Sequence, residues 1–156
     1  MARWTLTGVP HKGWTLIGYE DVKEEDPDAE YESCEMCGNE IRYVHILEHP
    51  DYVGTMRVGC NCAEKMTEDY TTHRIHENEM QKRASRRVNF MRQVWHKNGN
   101  GNLIIKYKGV RITAIERNGN YGFVIYNNWI WNYRGKSIRS FDTLKTAVFD
   151  ALDKLV

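Results

Sequence analysis

The sequence lacks the features that would place it in a membrane or in one of the motif-defined enzyme classes. None of its apolar runs approaches the ~20 residues of a membrane-spanning helix, and its first five residues contain no apolar signal-peptide core. It also contains no nucleophile elbow, Walker loop or dinucleotide fingerprint. We therefore expect a cytoplasmic protein that has no membrane association and no small-molecule substrate, and these absences favour a non-enzymatic role without deciding it.

Cysteine is scarce as well, and its placement is the most informative feature of the chain. The four cysteines lie between positions 34 and 62, as the pairs Cys34/Cys37 and Cys60/Cys62. Two close pairs separated by a hairpin-length insert are typical of a tetrahedral thiolate zinc site, and in the cytoplasm paired cysteines indicate metal more often than a disulfide. Because four thiolates close the coordination shell, the spacing predicts a structural Zn²⁺ rather than a catalytic one.

The order of apolar and polar residues predicts an α+β fold in three parts. Residues 1–70 are expected to form a treble-clef or zinc-ribbon module, with a short hairpin over 3–19, a zinc hairpin over 41–58 and a helix that opens at Ala63. Residues 71–98 are expected to form a connecting amphipathic helix. Residues 99–156 are expected to form an antiparallel sheet of three or four strands with a C-terminal helix. The acidic stretch over 20–32 predicts a solvated loop.

The connecting helix is predicted from about His73 to Trp95. Its apolar residues recur at helical spacing and form one stripe, which comprises Met80, Ala84, Val88, Met91 and Trp95. Basic side chains flank this stripe, and the candidate contacts among them are Arg83, Arg86 and Arg87. They either contact phosphate or an acidic protein, or are solvated side chains around a core stripe without a binding role.

The last third of the chain supplies the other candidate contacts. Lys108-Gly109 and Asn118-Gly119-Asn120 have the composition of hairpin turns. The basic and aromatic residues expected to face a partner are Arg111, Arg117, Trp129, Trp131, Arg134, Lys136 and Arg139. The two tryptophans have a second interpretation, as core residues beneath the last helix.

Charge is distributed unevenly along the chain, although the net charge is only +1. Residues 1–33 carry eight acidic and three basic side chains, whereas residues 99–156 carry four acidic and nine basic ones. A basic second half is suited to a polyanion or to an acidic partner surface, the alternative being an ordinary solvated face.

Several short motifs carry a family resemblance over roughly residues 8–95. They are Gly8-Val9-Pro10-His11-Lys12-Gly13-Trp14, Cys34-Glu35-Met36-Cys37-Gly38, Ile41-Arg42-Tyr43-Val44-His45, His49-Pro50 and Gly59-Cys60-Asn61-Cys62-Ala63. Together they resemble a family of small zinc-ribbon proteins of bacteria, phages and mobile elements. The resemblance implies zinc and a prokaryotic cytoplasm and supplies no activity. Tyr107 to Arg111 and Phe141 to Thr143 are similar to AP2-type and integrase arm-type modules, which bind DNA with a β-sheet.

Three functions remain open at this point. The leading hypothesis is a non-enzymatic, zinc-stabilised protein that binds nucleic acid or a nucleoprotein complex. The second is a regulator from a phage or mobile element that inhibits a host defence enzyme, such as a nucleic-acid-processing protein, through protein–protein contacts. The third is an HNH-like nuclease, because His45 to Pro50 and His73 to Asn78 loosely imitate the histidines and asparagine of that class. The Asp-His pair usual at its hairpin is missing.

Overall fold

Two groups of antiparallel strands, each packed against helices, make up the computed structural model of the chain. The structure describes residues 2–127, 130–134 and 138–154, with only the backbone described at 127 and 130–134. The chain divides into two units, Met1–Ala84 and Ser85–Val156. This division falls inside the long helix, whereas the sequence pattern placed domain boundaries on either side of that helix.

The first unit is built on a three-stranded sheet in the order β1-β4-β5, formed by Thr15–Asp21, Tyr43–His49 and Tyr52–Val58. Two short strands, β2 (Glu32–Ser33) and β3 (Glu40–Ile41), pair with each other beside the first cysteine pair. The hairpin predicted over 41–58 is therefore present as β4 and β5. The hairpin predicted over 3–19 is wrong, because residues 4–8 form turns and β1 pairs with β4.

Helix α1 (Cys60–Thr67) closes the core of the first unit. Trp14, Leu47 and Met56 are buried here with Ala63 and Met66 of the helix. α1 begins at Cys60, with Gly59 at its N-cap, and not at Ala63 as predicted. The second cysteine pair therefore lies within the first helical turn.

The acidic stretch predicted as a solvated loop is instead held by basic side chains. Asp21 accepts two hydrogen bonds from the Arg42 guanidinium, at 2.8 and 3.0 Å. Arg57 forms ion pairs with both Glu20 and Glu32. The prediction followed the local density of charge and missed these partners, because they lie 21 to 37 residues away in sequence.

Helix α2 (Thr72–Met91) carries a buried face that differs from the predicted apolar stripe. Val88 is 48% exposed, whereas Phe90 is completely buried. His73 and Met80 are the buried residues of the first half. His73 and Met80 lie within about 20° of each other around the helix axis, whereas Phe90 lies about 80° away from Met80. Because the buried surface shifts around the helix and includes a histidine, a single stripe of apolar residues did not reveal it.

The second unit contains a five-stranded antiparallel sheet, one or two strands larger than predicted, in the order β10-β9-β8-β7-β6. Its strands are β6 (His96–Lys97), β7 (Leu103–Tyr107), β8 (Val110–Arg117), β9 (Asn120–Asn127) and β10 (Ile130–Arg134). The predicted hairpin turns are confirmed. Lys108-Gly109 and Asn118-Gly119 both have positive φ at two consecutive residues, which is the geometry of the type I′ turn that matches strand twist.

Helix α3 (Phe141–Asp153) covers one face of this sheet. Ser140 caps it by accepting a hydrogen bond from the Thr143 backbone N–H. The shared core consists of Phe90, Ile105, Ile112, Ala114, Phe123 and Ile125 with Leu144, Val148, Phe149 and Leu152 of the helix. Because side chains alternate along strands, the residues between these core positions lie on the opposite face of the sheet.

Candidate metal centre and basic sheet face

Three cysteines of the first unit form a compact thiolate cluster. The sulfur atoms of Cys34, Cys37 and Cys62 all lie within 4.8 Å of one another, and Cys34 and Cys62 are almost completely buried. A tight turn brings the first two together, because the Gly38 N–H donates to the Cys34 carbonyl at 2.8 Å and Gly38 has a φ of +83°. The first turn of α1 delivers the third sulfur.

Electrostatics in the cluster favour a shared proton. The Cys62 thiol donates a hydrogen bond to Cys34, and with smaller contributions from backbone N–H groups this lowers the pKa of Cys34 to about 4 against the effect of burial. The same hydrogen bond, followed by burial, raises the pKa of Cys62. The thiolate form of Cys34 is therefore favoured, and a metal ion would take the place of the proton that Cys62 shares with it.

The donor set of the cluster fits a soft or borderline metal ion. Three closely placed sulfur ligands in a largely buried pocket match the preferences of Zn²⁺ and similar ions. No carboxylate or imidazole belongs to the cluster. The described residues thus supply three ligands at one point, whereas the sequence spacing predicted four.

Cys60 lies outside this cluster, and the helix explains why. Consecutive residues in an α-helix are separated by about 100°, so Cys60 and Cys62 diverge by roughly 200° once both lie in α1. Cys60 is buried, and the carboxylate of Glu77 is close enough to its thiol to affect the pKa of that thiol. Burial, followed by the charges of Glu77 and Glu64, raises the pKa of Cys60 to about 11.

Histidines gather on the same side of α1 as Cys60. His45 and His73 are buried, with ring centroids 5.3 Å apart in an edge-on arrangement. Burial and then the neighbouring His45 lower the pKa of His73. Neither ring is exposed. The sequence contained a signal for this group in the i, i+3, i+4 spacing of His73, His76 and Glu77.

His49 has a structural role in the turn of the zinc hairpin. Its Nε2–H donates to the Lys12 carbonyl at 2.9 Å, and its Nδ1 accepts from the Asp51 N–H at 2.9 Å. Both ring nitrogens are therefore used within the fold.

The basic ridge predicted on α2 is engaged in ion pairs. Arg83 pairs with Glu24 at 2.6 Å. Arg86 forms a two-pronged hydrogen bond with Asp153 at 2.9 and 3.1 Å. Arg87 is partly buried. The ion pair of Arg83 lies within the first unit and that of Arg86 within the second.

The sheet face opposite α3 carries a cross-strand row of basic and aromatic residues. Lys106, Arg111 and Tyr126 lie opposite one another in register, and the Arg111 guanidinium lies over the Tyr126 ring at 4.7 Å from its centroid. Arg117 follows on the same face of β8, where it is exposed, and Arg139 is exposed just before α3.

The remaining predicted contacts lie at the margin of the described chain. Trp131 is opposite Tyr126 in the strand register, and Arg134 is opposite Val124. Register places Trp131 at the end of the row formed by Lys106, Arg111 and Tyr126. Trp129 and Lys136 lie outside the described residues.

Comparisons with protein-family models, with curated proteins and with solved structures gave no match. Within the described ranges, no helix combines the length and apolar character needed to cross a bilayer.

Proposed function

We propose that this protein is a non-enzymatic, zinc-stabilised protein that binds nucleic acid through the sheet of its second unit. The observation that carries the proposal is the separation of charge between the two units. Met1–Ala84 contains 17 acidic and nine basic residues, whereas Ser85–Val156 contains four acidic and 13 basic residues. A phosphate backbone would be attracted to the second unit and repelled by the first.

The sheet face adds shape to this charge. Lys106, Arg111 and Arg117 are exposed on the side that α3 leaves uncovered. Tyr126 supplies an aromatic ring in the same row, and rings interleaved with cations are suited to bases and phosphates together. The segment over residues 107–111 is similar to β-sheet DNA-binding modules. This similarity supports the same use of the sheet.

In this proposal the thiolate cluster has a structural task. A Zn²⁺ held by Cys34, Cys37 and Cys62 would tie the turn after β2 to the first turn of α1. Such an ion contributes its binding free energy to folding, because the unfolded chain has no preformed site. The ion would stabilise the first unit and take no part in contacts with the nucleic acid.

Fluorescence anisotropy with labelled single- and double-stranded DNA and RNA tests the nucleic-acid interface. The double variant Arg111→Glu/Arg117→Glu should weaken binding at least tenfold and reduce the salt-dependence slope by about two, since each phosphate contact contributes about 0.9. Its melting temperature should hardly change, because exposed charges contribute only about 0–1 kcal/mol to stability.

Lys65→Glu/Lys82→Glu is the matched control for this experiment. It makes the same change in net charge at exposed positions of the first unit, and it should retain most of the affinity. Equal losses in both double variants would show that only total charge matters. If the wild-type protein fails to bind any of the four probes at about 100 µM, the weak end of non-specific binding, the proposal is wrong and a protein partner becomes the better hypothesis.

A further inference from the structure

The second cysteine pair is divided between two places in the fold, and the second place has no assigned role. Cys62 joins the thiolate cluster, whereas the Cys60 thiol lies against Glu77 of α2. Cys60 is only 7% exposed. A buried thiol next to a carboxylate is an unusual pairing for a hydrophobic core, so the neighbours of Cys60 call for an explanation.

His45 provides the strongest observation at this second place. Its side chain has no solvent exposure, and neither ring nitrogen has a hydrogen-bond partner. Its Nε2 lies 4.0 Å from Oε1 of Glu77, too far for a hydrogen bond. A buried imidazole left in this way loses the hydrogen bonds that water would give it, which is costly unless something else binds it.

His73 offers a second unused nitrogen, and its hydrogen bonds define which one. The Thr67 hydroxyl donates to the Ala63 carbonyl at 2.7 Å, so its oxygen is left to accept from Nε2–H of His73 at 2.6 Å. This arrangement assigns the proton to Nε2 and a lone pair to Nδ1. The Nδ1 atom is buried and has no partner. A histidine whose far nitrogen donates to a neighbouring oxygen is the usual arrangement for a metal ligand.

We propose that Cys60, His45, His73 and Glu77 form a second metal site, which binds a divalent transition-metal ion such as Zn²⁺. One thiolate, two neutral imidazoles and one carboxylate are the mixed sulfur, nitrogen and oxygen donors that Zn²⁺ accepts in tetrahedral sites. Glu77 is the central donor, because its carboxylate lies 4.0 Å from the His45 ring and near the Cys60 thiol. Its side chain is 22% exposed, which leaves an entry path for the ion.

The two sites differ in how close together their donor atoms already lie. Among the described residues, the thiolate cluster is the one set of three or more donor groups already within 4.8 Å of one another. The second set must close around its ion by side-chain rotation. The second ion should therefore bind more weakly than the first, and the two should be resolved in a titration.

Counting zinc in the purified full-length chain by elemental analysis tests the second site. The wild-type protein should hold two ions per chain after equilibration with Zn²⁺ and removal of the excess. Cys60→Ser and Glu77→Gln should each hold one. Thr67→Val removes the hydroxyl that orients His73 and leaves all four proposed ligands in place, so it should weaken binding of the second ion about 10- to 100-fold in a competitive chelator titration without affecting the first.

Glu79→Gln is the control, because Glu79 is an exposed carboxylate on the same helix, and it should retain two ions. Glu77→Gln is nearly isosteric and partly exposed, so it reports on the site even if Cys60→Ser fails to fold. One ion in the wild-type protein would overturn the proposal, and loss of that ion in Cys60→Ser would assign Cys60 to the thiolate cluster. Two ions in Glu77→Gln would overturn it as well. Neither outcome bears on nucleic-acid binding by the second unit.

Discussion

Asp69 shows how a single side chain prepares the start of a helix. Its carboxylate accepts hydrogen bonds from the backbone N–H groups of Thr71 and Thr72, both at 3.0 Å. The first N–H groups of α2 have no partner within the helix, and the positive end of the helix dipole favours a negative charge at this point. With the Thr72 side-chain hydrogen bond as the largest contribution, these contacts lower the pKa of Asp69 to about 2.

The pKa of Asp69 leads to a prediction about acid stability. Because the folded-state pKa lies below the ordinary value of 3.8, the folded chain binds this proton less tightly than the unfolded chain. The stabilising contribution is therefore complete above about pH 4 and disappears as the pH falls through about 2. NMR titration of the Asp69 carboxyl carbon should give a midpoint near 2. Asp69→Asn keeps an acceptor oxygen but loses the charge. The difference in unfolding free energy between this variant and the wild type should decrease as the pH falls from about 4 to about 2. A midpoint near 4 would contradict the prediction.

Residue-scale prediction from sequence succeeded where spacing alone decides and failed where backbone conformation intervenes. Cys34 and Cys37 lie on a turn, so two intervening residues suffice to bring their sulfurs together. Cys60 and Cys62 would also converge on a turn or in a loop, but within a helix the same spacing separates them. Their separation depends on a helix that starts three residues earlier than predicted, and helix starts vary by this much in sequence-based assignment.

At the scale of the element, α2 serves two cores with two kinds of buried face. His73 and Met80 are buried in its first half, where His73 hydrogen-bonds Thr67 and Glu77 lies 4.0 Å from His45 of β4. Its last turn contributes Phe90, whose ring centroid lies 5.2 Å from that of Tyr107 and 5.9 Å from that of Phe149. A single apolar stripe could not describe such a helix. The partners of His73 outside the helix, Thr67 and His45, make its burial possible. The periodicity of apolar residues within the helix contains no information about them.

Phe90 provides the test of this division. Phe90→Ala should lower the unfolding free energy of the second unit by about 3–5 kcal/mol, since a fully buried phenylalanine leaves a cavity when truncated. Val88→Ala is the matched control on the same helix. It should change stability by no more than about 0.5 kcal/mol, because Val88 lies on the exposed side. Chemical denaturation followed by the indole N–H signal of Trp95 in two-dimensional NMR spectra measures both. A larger loss of unfolding free energy in Val88→Ala than in Phe90→Ala would show that the predicted apolar stripe is the buried face.

The sheet of the second unit was the element most accessible from sequence. Its two turn motifs fix a two-residue connection on each side of β8, and this sets the register of Tyr107 with Val110 and of Arg117 with Asn120. The alternation of Ile112 and Ala114 with Arg111 and Thr113 then determines which face is buried. β6, with only two residues, is too short to leave a periodic signal.

At the scale of the whole molecule, the two units differ in what stabilises them. The second unit has a core of aromatic and branched aliphatic side chains on a five-stranded sheet. The first unit has a smaller core that includes Cys34 and Cys62 beside Trp14 and Met36. Sequence could predict the acidic and basic halves by counting. It could not place the division inside α2, because a continuous helix leaves no break in the pattern.

Metal removal should therefore affect the two units differently. A strong chelator should unfold the first unit, since the free energy of ion binding by Cys34, Cys37 and Cys62 is part of its folding free energy, and should leave the second unit folded. The indole N–H signals of Trp14 and Trp95 in a two-dimensional NMR spectrum report on the two units separately. Trp14 is buried in the cysteine core, where its Nε1–H donates to the Pro10 carbonyl at 2.9 Å, so its signal should collapse to the random-coil position. The Trp95 signal should stay where it is, because this ring packs against Phe90 and Phe141 of the second unit.

Cys37→Ser should reproduce the result without chelator. If both signals persist, the thiolate cluster does not stabilise the fold through a metal; if both collapse, the second unit depends on the first.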